Sequence, residues 1–409
     1  MEIEPKDLYF SREAATYLNI SMQRLNKLTN DGVIKPFKKN SSGTIYLFSE
    51  LEKRKQELAI FSSSSLYEEK RMRGAFKINS PIRHEALNFA VIMLTLGCTE
   101  KKLSPIFDAV SSRLEITSPI PDNLLAWCKE FNLESSVLLS NYRFAEAEFS
   151  KLKADDEIIK IGDTEYPKLL AETEEAPRFL YLRGDYSLLH DTRTVALVGS
   201  RSASEEGIQN TRRVAKILGH NGIIVVSGLA KGIDVTAHKT ALENGFKTIA
   251  VIGTNLNQYY PSENRLIQEE IEQKGLVISQ FSPAAKTERW FFPLRNGVMS
   301  GISRATVIME AGETSGALKQ ASFAAKQGRL VLIPRNTFLN PNISWPKSLV
   351  KKGAKVVRNP SEIIDVLTQA FIPKINDEDG FVDLFSGMDD SDIDAMYIAE
   401  DAKHYGKKS

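Results

Sequence analysis

Val195-Ala-Leu-Val-Gly-Ser-Arg-Ser-Ala-Ser204 is the stretch that decides the fold. Its first four residues are apolar, Gly199-Ser200-Arg201 interrupt them, and an amphipathic segment through Val214, Ile217 and Leu218 follows. Strand, glycine turn and helix in that order leave backbone N–H groups at a helix N-terminus, where an anion can bind. The same grammar recurs downstream. Ile223-Ile-Val-Val226 leads into Ser227-Gly-Leu-Ala-Lys-Gly-Ile-Asp234, and Thr248 to Ile252 into Gly253-Thr-Asn255. Thr306 to Met309 leads into Glu310-Ala-Gly-Glu-Thr-Ser-Gly316, and Leu330 to Ile333 into Pro334-Arg335. Apolar runs alternating with helices predict an α/β fold with a parallel sheet covered on both faces. The ligand site of such a sheet lies at the carboxyl ends of its strands.

The rest of the chain sets the limits. At 409 residues it is too long for a single core, so several domains are expected. With 42% hydrophobic and 26% charged residues, its composition is that of an ordinary globular protein. Apolar runs such as Leu87 to Leu96 are too short to span a bilayer, and Glu2, Glu4, Lys6 and Asp7 occupy the place of a signal peptide. Two cysteines, Cys98 and Cys128, make no disulfide framework, and five histidines show no metal-ligand spacing; a cytoplasmic protein with no metal or cofactor is expected. The net charge of +1 hides an asymmetry, because ten acidic residues stand against three basic ones from Asn376 onward. The body is therefore basic, which suits a polyanionic ligand.

Residues 1–60 read as helix, turn, helix, hairpin and helix. Ser11 opens a helix through Leu18, Met22 to Asn30 forms a second, and Lys38-Lys-Asn-Ser-Ser-Gly43 makes a polar turn between Phe37 and Ile45-Tyr-Leu-Phe48. This pattern resembles the winged helix-turn-helix of MerR and excisionase-type DNA binders. The resemblance implies duplex contacts through Arg12, Gln23, Arg24, Asn26 and Lys27, with Lys38 and Lys39 on the wing; a winged helix used for protein contacts is the alternative. A helical region is expected at 66–155, where Leu87, Val91, Leu94 and Leu96, then Leu103, Phe107 and Val110, recur at helical spacing, followed by Trp127 and Phe131.

From Lys160 a second resemblance runs in order and spacing to about residue 358. Tyr166-Pro-Lys-Leu-Leu170, Pro177-Arg-Phe-Leu-Tyr-Leu-Arg-Gly184, Gly199-Ser-Arg201, Ser227 to Asp234, Ala237-His238, Tyr260-Pro261, Phe292-Pro-Leu-Arg-Asn296, Ser315-Gly316 and Gln327-Gly-Arg329 resemble the DNA-processing protein A (DprA/Smf) family. The family resemblance implies an extended Rossmann-like domain at 160–372; beyond it, like charges and little apolar surface predict an acidic flexible tail at 373–409. The resemblance also implies a non-enzymatic, dimeric protein that binds single-stranded DNA and presents it to a RecA-type recombinase. There are departures. Gly297 stands where the family usually has a second arginine, Ser279-Gln280 replaces a serine-glutamate, and Asn340 to Trp345 replaces a glycine-rich loop. They leave open a role in mobile-element or defence biology rather than transformation.

The expected single-strand or anion-binding residues are Gly199, Ser200, Arg201, Ser204, Gly228, Lys231, Gly232, Asp234, His238, Arg265, Arg295, Asn296, Ser315 and Gly316. Arg201 at a strand end can grip a phosphate with its planar fork. Ser204 is equally a helix cap, Asp234 reads as an N-cap, and His238 as a packed, hydrogen-bonded side chain. Of Trp290, Phe291 and Phe292, at least two are expected in the core, although all three have the chemistry to stack on bases. The competing readings are a nucleotide-sensing or nucleotide-cleaving Rossmann protein and a transcription regulator. Gly312-Glu-Thr-Ser-Gly316 resembles the loop of cytokinin-activating phosphoribohydrolases, but no acid stands near Lys319-Gln320 to donate a proton, leaving only Glu310 and Glu313.

Overall fold

The computed structural model describes residues 8–18, 25, 26, 29, 30, 34–40, 43–51 and 80–371. The chain divides near residue 75 into two compact units. In the first, Leu8–Phe10 (β1), Lys38–Asn40 (β2) and Gly43–Leu47 (β3) form an antiparallel sheet in the order β1-β3-β2, beside helix Ser11–Tyr17 (α1). The hairpin turn is tighter than the sequence suggested, because Lys38 and Lys39 already lie in β2 and Asn40 pairs with Gly43. Ala14, Ala15, Leu18, Leu25, Ile34, Tyr46 and Leu51 make its core. Asn26 and Lys38 are exposed; Gln23, Arg24 and Lys27 fall outside the described residues, as does the whole of the expected tail.

The second unit is built on nine strands. They are Glu157–Lys160 (β4), Phe179–Gly184 (β5), Thr194–Gly199 (β6), Ile224–Ser227 (β7), Thr248–Val251 (β8), Leu276–Ser279 (β9), Ala305–Glu310 (β10), Leu330–Pro334 (β11) and Lys355–Val357 (β12). Their order across the sheet is β12-β11-β10-β6-β7-β8-β9-β5-β4. Seven neighbouring strands, β12 through β9, run parallel, as the apolar runs predicted. The sheet then departs from expectation, since β5 and β4 add antiparallel to β9. Side chains alternate between faces with the strand period of two: Val195 and Leu197 enter one core, and Ala196 and Val198 enter the other.

Helices Pro81–Leu96 (α2), Glu100–Val110 (α3), Leu124–Phe131 (α4) and Ser135–Phe149 (α5) fall where helical spacing placed them. They are not a separate body. Leu87, Phe107, Trp127 and Phe149 share one core with Phe179, Tyr181, Ala250 and Val277 of the sheet. The dividing line drawn at 155–160 therefore crosses a continuous structure, and the sheet begins at Glu157 rather than after Lys160. Leu94 and Leu96, expected inward, are 37% and 40% exposed at the end of α2. Trp127 and Phe131 are buried and stacked, 5.9 Å between ring centroids.

Strand order positions the site. From β6 the chain builds outward through β7 and β8 to β9, and from β10 through β11 to β12 on the opposite side. The order reverses between β6 and β10, so the loops following these two strands leave in opposite directions and open a crevice between them. Helices of this unit include Glu205–His220 (α6), Ile233–Glu243 (α7), Arg265–Lys274 (α8), Phe291–Gly301 (α9), Gly316–Lys326 (α10) and Pro360–Phe371 (α11).

Buried ion pairs tie the helical layer to the sheet: Glu85 of α2 holds Arg178 beside β5 at 2.8 Å, and another pair lies at the start of β4. Asp156, just before β4, receives Arg183 of β5 through Nε at 2.7 Å and Nη2 at 2.6 Å, and its backbone carbonyl accepts Arg83 of α2 at 2.6 Å. Both partners of the pair are almost fully buried. Glu272 lies 3.5 Å from Arg183 as a second, longer partner, so breaking the pair costs toward the lower end of roughly 3–5 kcal/mol. Asp156→Ala is expected to lower the free energy of unfolding by about 3 kcal/mol, measured by denaturant titration, and Asp156→Leu combined with Arg183→Met to lower it less than either single change.

Candidate functional site

The crevice at the strand-order reversal holds a polar recess. Val198, Gly199 and Arg201 contribute from the end of β6, and Ala230 and Asp234 from the loop and helix after β7. Phe292, Arg295, Asn296 and Met299 enter from α9, and Ser315, Gly316, Ala317 and Gln320 from the loop and helix after β10. Seven of the residues expected at an anion site are thus brought together: Gly199, Arg201, Asp234, Arg295, Asn296, Ser315 and Gly316.

Local chemistry explains how. Ser315 caps α10, its Oγ accepting from the Ala317 N–H at 3.3 Å, so the positive end of that helix faces the recess. Arg201 is half-buried on the facing turn. Gly232 holds φ at 74°, and a Cβ there would lie 2.2 Å from the Ser200 carbonyl oxygen, so only glycine lets the second loop close onto the first. Arg295 is 6% exposed. Its guanidinium donates to the carbonyl of Gly228 at 2.6 Å and to that of Val251, which ties the ends of β7 and β8 to α9. Sequence reading assigned Arg295 only to ligand binding and missed this structural duty, which no motif announces.

Asp234 needs a correction. It does not cap α7, since Gly232 holds the N-cap position. Asp234 turns inward instead, where Oδ2 accepts from the Gly228 N–H at 3.1 Å. Burial raises its carboxyl above the usual range, against the opposing pull of Arg295, the Ala230 and Gly228 amides and Arg201. It is an internal counter-charge to the arginines.

The remaining expected residues do not line the recess. Ser204 caps α6, accepting from the Gly207 N–H at 3.0 Å. Ser200 is used by its own turn, where its Oγ accepts from the Ser202 N–H at 3.1 Å. Gly228 supplies the carbonyl and N–H already named. Lys231 and Arg265 are exposed and paired, Lys231 with Glu263 at 2.6 Å and Arg265 with Glu269 at 2.8 Å, so neither extends the recess. His238 lies in the core with Nδ1 2.8 Å from the Thr248 hydroxyl. Among the three aromatics only Phe291 is core, stacked on Phe281 at 3.8 Å. Phe292 is half-buried against Tyr260 at 5.1 Å, and Trp290 is 47% exposed, so the expectation of two core rings exceeds what is found.

The match to known proteins follows the same boundaries. The family model described as DNA recombination-mediator protein A covers residues 157–368. The chain belongs to this family. It is 36% identical over 223 residues to DNA processing protein DprA of Streptococcus pneumoniae, which spans 54% of this chain and 78% of the relative. The crystal structure of the pneumococcal DprA superposes with a TM-score of 0.56 at 30% identity, covering 68% of this chain and 97% of that one. A Helicobacter pylori DNA processing protein A, whose structure is described for its single-stranded DNA binding mode, gives 0.48 at 27% identity over 53% of this chain and 96% of its own. No helix among the described residues is long and apolar enough to cross a membrane.

His238 makes the stability of this site depend on pH. Burial, with the charge of Arg295 adding to it, pushes the imidazole down to about 3. The unfolded imidazole titrates near 6.5. The folded state therefore favours the neutral ring: stability is complete above about pH 6.5 and falls by about 1.4 kcal/mol per unit as pH drops toward 3. In denaturation series between pH 4 and 8, His238→Gln is expected to flatten this part of the slope relative to wild type.

Proposed function

We propose that this protein binds single-stranded DNA at the recess between β6 and β10, without turning it over, and presents it to a RecA-type recombinase. The observation that carries the reading is the convergence of Arg201, the N-terminus of α10 and the Arg295–Asn296 pair on one recess at the sheet's strand-order reversal. A guanidinium and a helix N-terminus facing the same space suit a phosphodiester. Beside them Phe292, Tyr260 and the exposed Trp290 offer ring faces to unstacked bases, which favours a single strand over a duplex. Family membership agrees with this chemistry. Pairing of two copies, as the resemblance implies, belongs to the same proposal.

Cleavage of a nucleotide is not supported. Neither Glu310 nor Glu313 lines the recess. Glu310 is engaged by Ser204, and Glu313 accepts from the backbone and hydroxyl of Ser344. The two positions where an acid would be needed hold Lys319 and Gln320, both buried.

A second contact with nucleic acid is proposed for the N-terminal unit. Its antiparallel hairpin beside a short helix and an apolar core supports the winged helix-turn-helix reading, with Lys38 exposed on the hairpin. Arg24→Ala with Lys27→Ala is expected to weaken binding to duplex DNA in a gel shift and to leave single-strand affinity unchanged. Loss of neither affinity favours protein docking for this unit.

Arg201 tests the main reading. Arg201→Ala is expected to weaken single-strand binding for all base sequences, because phosphates carry no base identity. The slope of log K against log salt should fall by about 0.7 for the lost phosphate contact. Arg201→Lys should restore part of the affinity, since the charge returns without the fork. Equal slopes for all three proteins, with unchanged melting, would remove the recess as the DNA site.

A further inference from the structure

The turn after β6 and the start of α6 form the place where a Rossmann-type sheet ordinarily receives a nucleotide phosphate. In this protein a side chain sits there. Glu310 ends β10, and the β10–β6 register shifts between Ile308 and Glu310, which sets Glu310 opposite Gly199. Its carboxylate crosses to the first turn of α6. Oε1 accepts from the Ser204 N–H at 2.9 Å, and Oε2 accepts from the Ser204 hydroxyl at 2.5 Å. The same hydroxyl oxygen accepts from the Gly207 N–H at 3.0 Å, which links the carboxylate to the helix amides. Close seating is visible at Gly207, where a Cβ would lie 2.2 Å from Oε2. Glycine at this third helical position leaves the carboxylate its space.

We propose that Glu310 is a specificity-determining residue: its carboxylate occupies the phosphate cradle at the N-terminus of α6 and keeps mononucleotides and dinucleotides out. Two features argue for exclusion over simple helix capping. Ser204 already caps α6 by itself, so the carboxylate is not required for that bond. It also places a negative charge where an incoming phosphate would have to sit, and both oxygens are hydrogen-bonded in place. Gly199 and Arg201 line the recess, and Glu310 does not. This inference stands on the geometry of α6 and does not depend on what binds the recess.

The test uses the full-length protein with inorganic phosphate and ADP as probes, read by equilibrium dialysis and by thermal shift. Glu310→Ala opens the cradle and is expected to bind both probes about tenfold or more tightly than wild type, the effect of about one charge-assisted hydrogen bond. Glu310→Gln keeps the shape without the charge and is expected to gain severalfold; it decides the matter if the alanine variant does not fold. Adding Gly207→Ala to Glu310→Ala refills the cradle with a methyl group and is expected to abolish the gain. The proposal is overturned if neither folded Glu310 variant binds more tightly than wild type. It is also overturned if the gain survives Gly207→Ala, which would place the probe elsewhere. No DNA enters these measurements, so their outcome and that of the Arg201 salt titration are separate.

Discussion

A buried guanidinium must find a full set of acceptors, and much of the site is arranged to meet that demand for Arg295. Its donors reach the carbonyls of Gly228 and Val251 and the amide oxygen of Asn296. Those acceptors lie at the ends of two neighbouring strands and on its own helix. Asp234 supplies the compensating charge from the first turn of α7. A cation placed this deeply is costly unless paired and hydrogen-bonded. Here these hydrogen bonds, with that from Gly228 to Asp234, fix the relative positions of β7, β8, α7 and α9, and the recess is what remains between them. The walls of the recess are thereby held in place, so that little conformational freedom would be lost on binding a ligand there.

The sheet was legible because parallel strands are buried on both faces. Val195 to Val198 and Leu330 to Ile333 read as unbroken apolar runs, and glycine or proline marked their ends. The antiparallel edge was not legible in the same way. Phe179 to Gly184 is apolar on the same pattern, and the direction in which a strand is added leaves no mark on composition. Nor was the continuity of the helices at 81–149 with the sheet, because an apolar helix face does not state what covers it; the shared core of Phe107 and Trp127 with Phe179 and Tyr181 does.

At the site, legibility followed chain direction. Residues at strand ends, such as Gly199, Arg201 and Ser315, were found because periodicity stops there. Lys231, on the loop after β7, and Arg265, at the start of α8, carry the same charge, yet each is turned outward to an acidic neighbour. Position along a helix decides such an outcome, and boundaries shifted by one or two residues are enough to lose it. Asp234 illustrates the point: placing the cap two residues too late turned an internal counter-charge into a helix terminus.

The two margins of the large sheet carry a consequence for assembly. One is β12, three residues long, and the other is β4, four residues long with Glu157 and Lys160 at its ends. Helix α2 packs beside β4. Short margins bearing charge offer few open backbone groups and resist alignment with another strand. The sheet is therefore closed to growth by strand addition. Any pairing of copies would then have to use helical or loop surfaces, and the strand register that shapes each recess stays private to its own molecule.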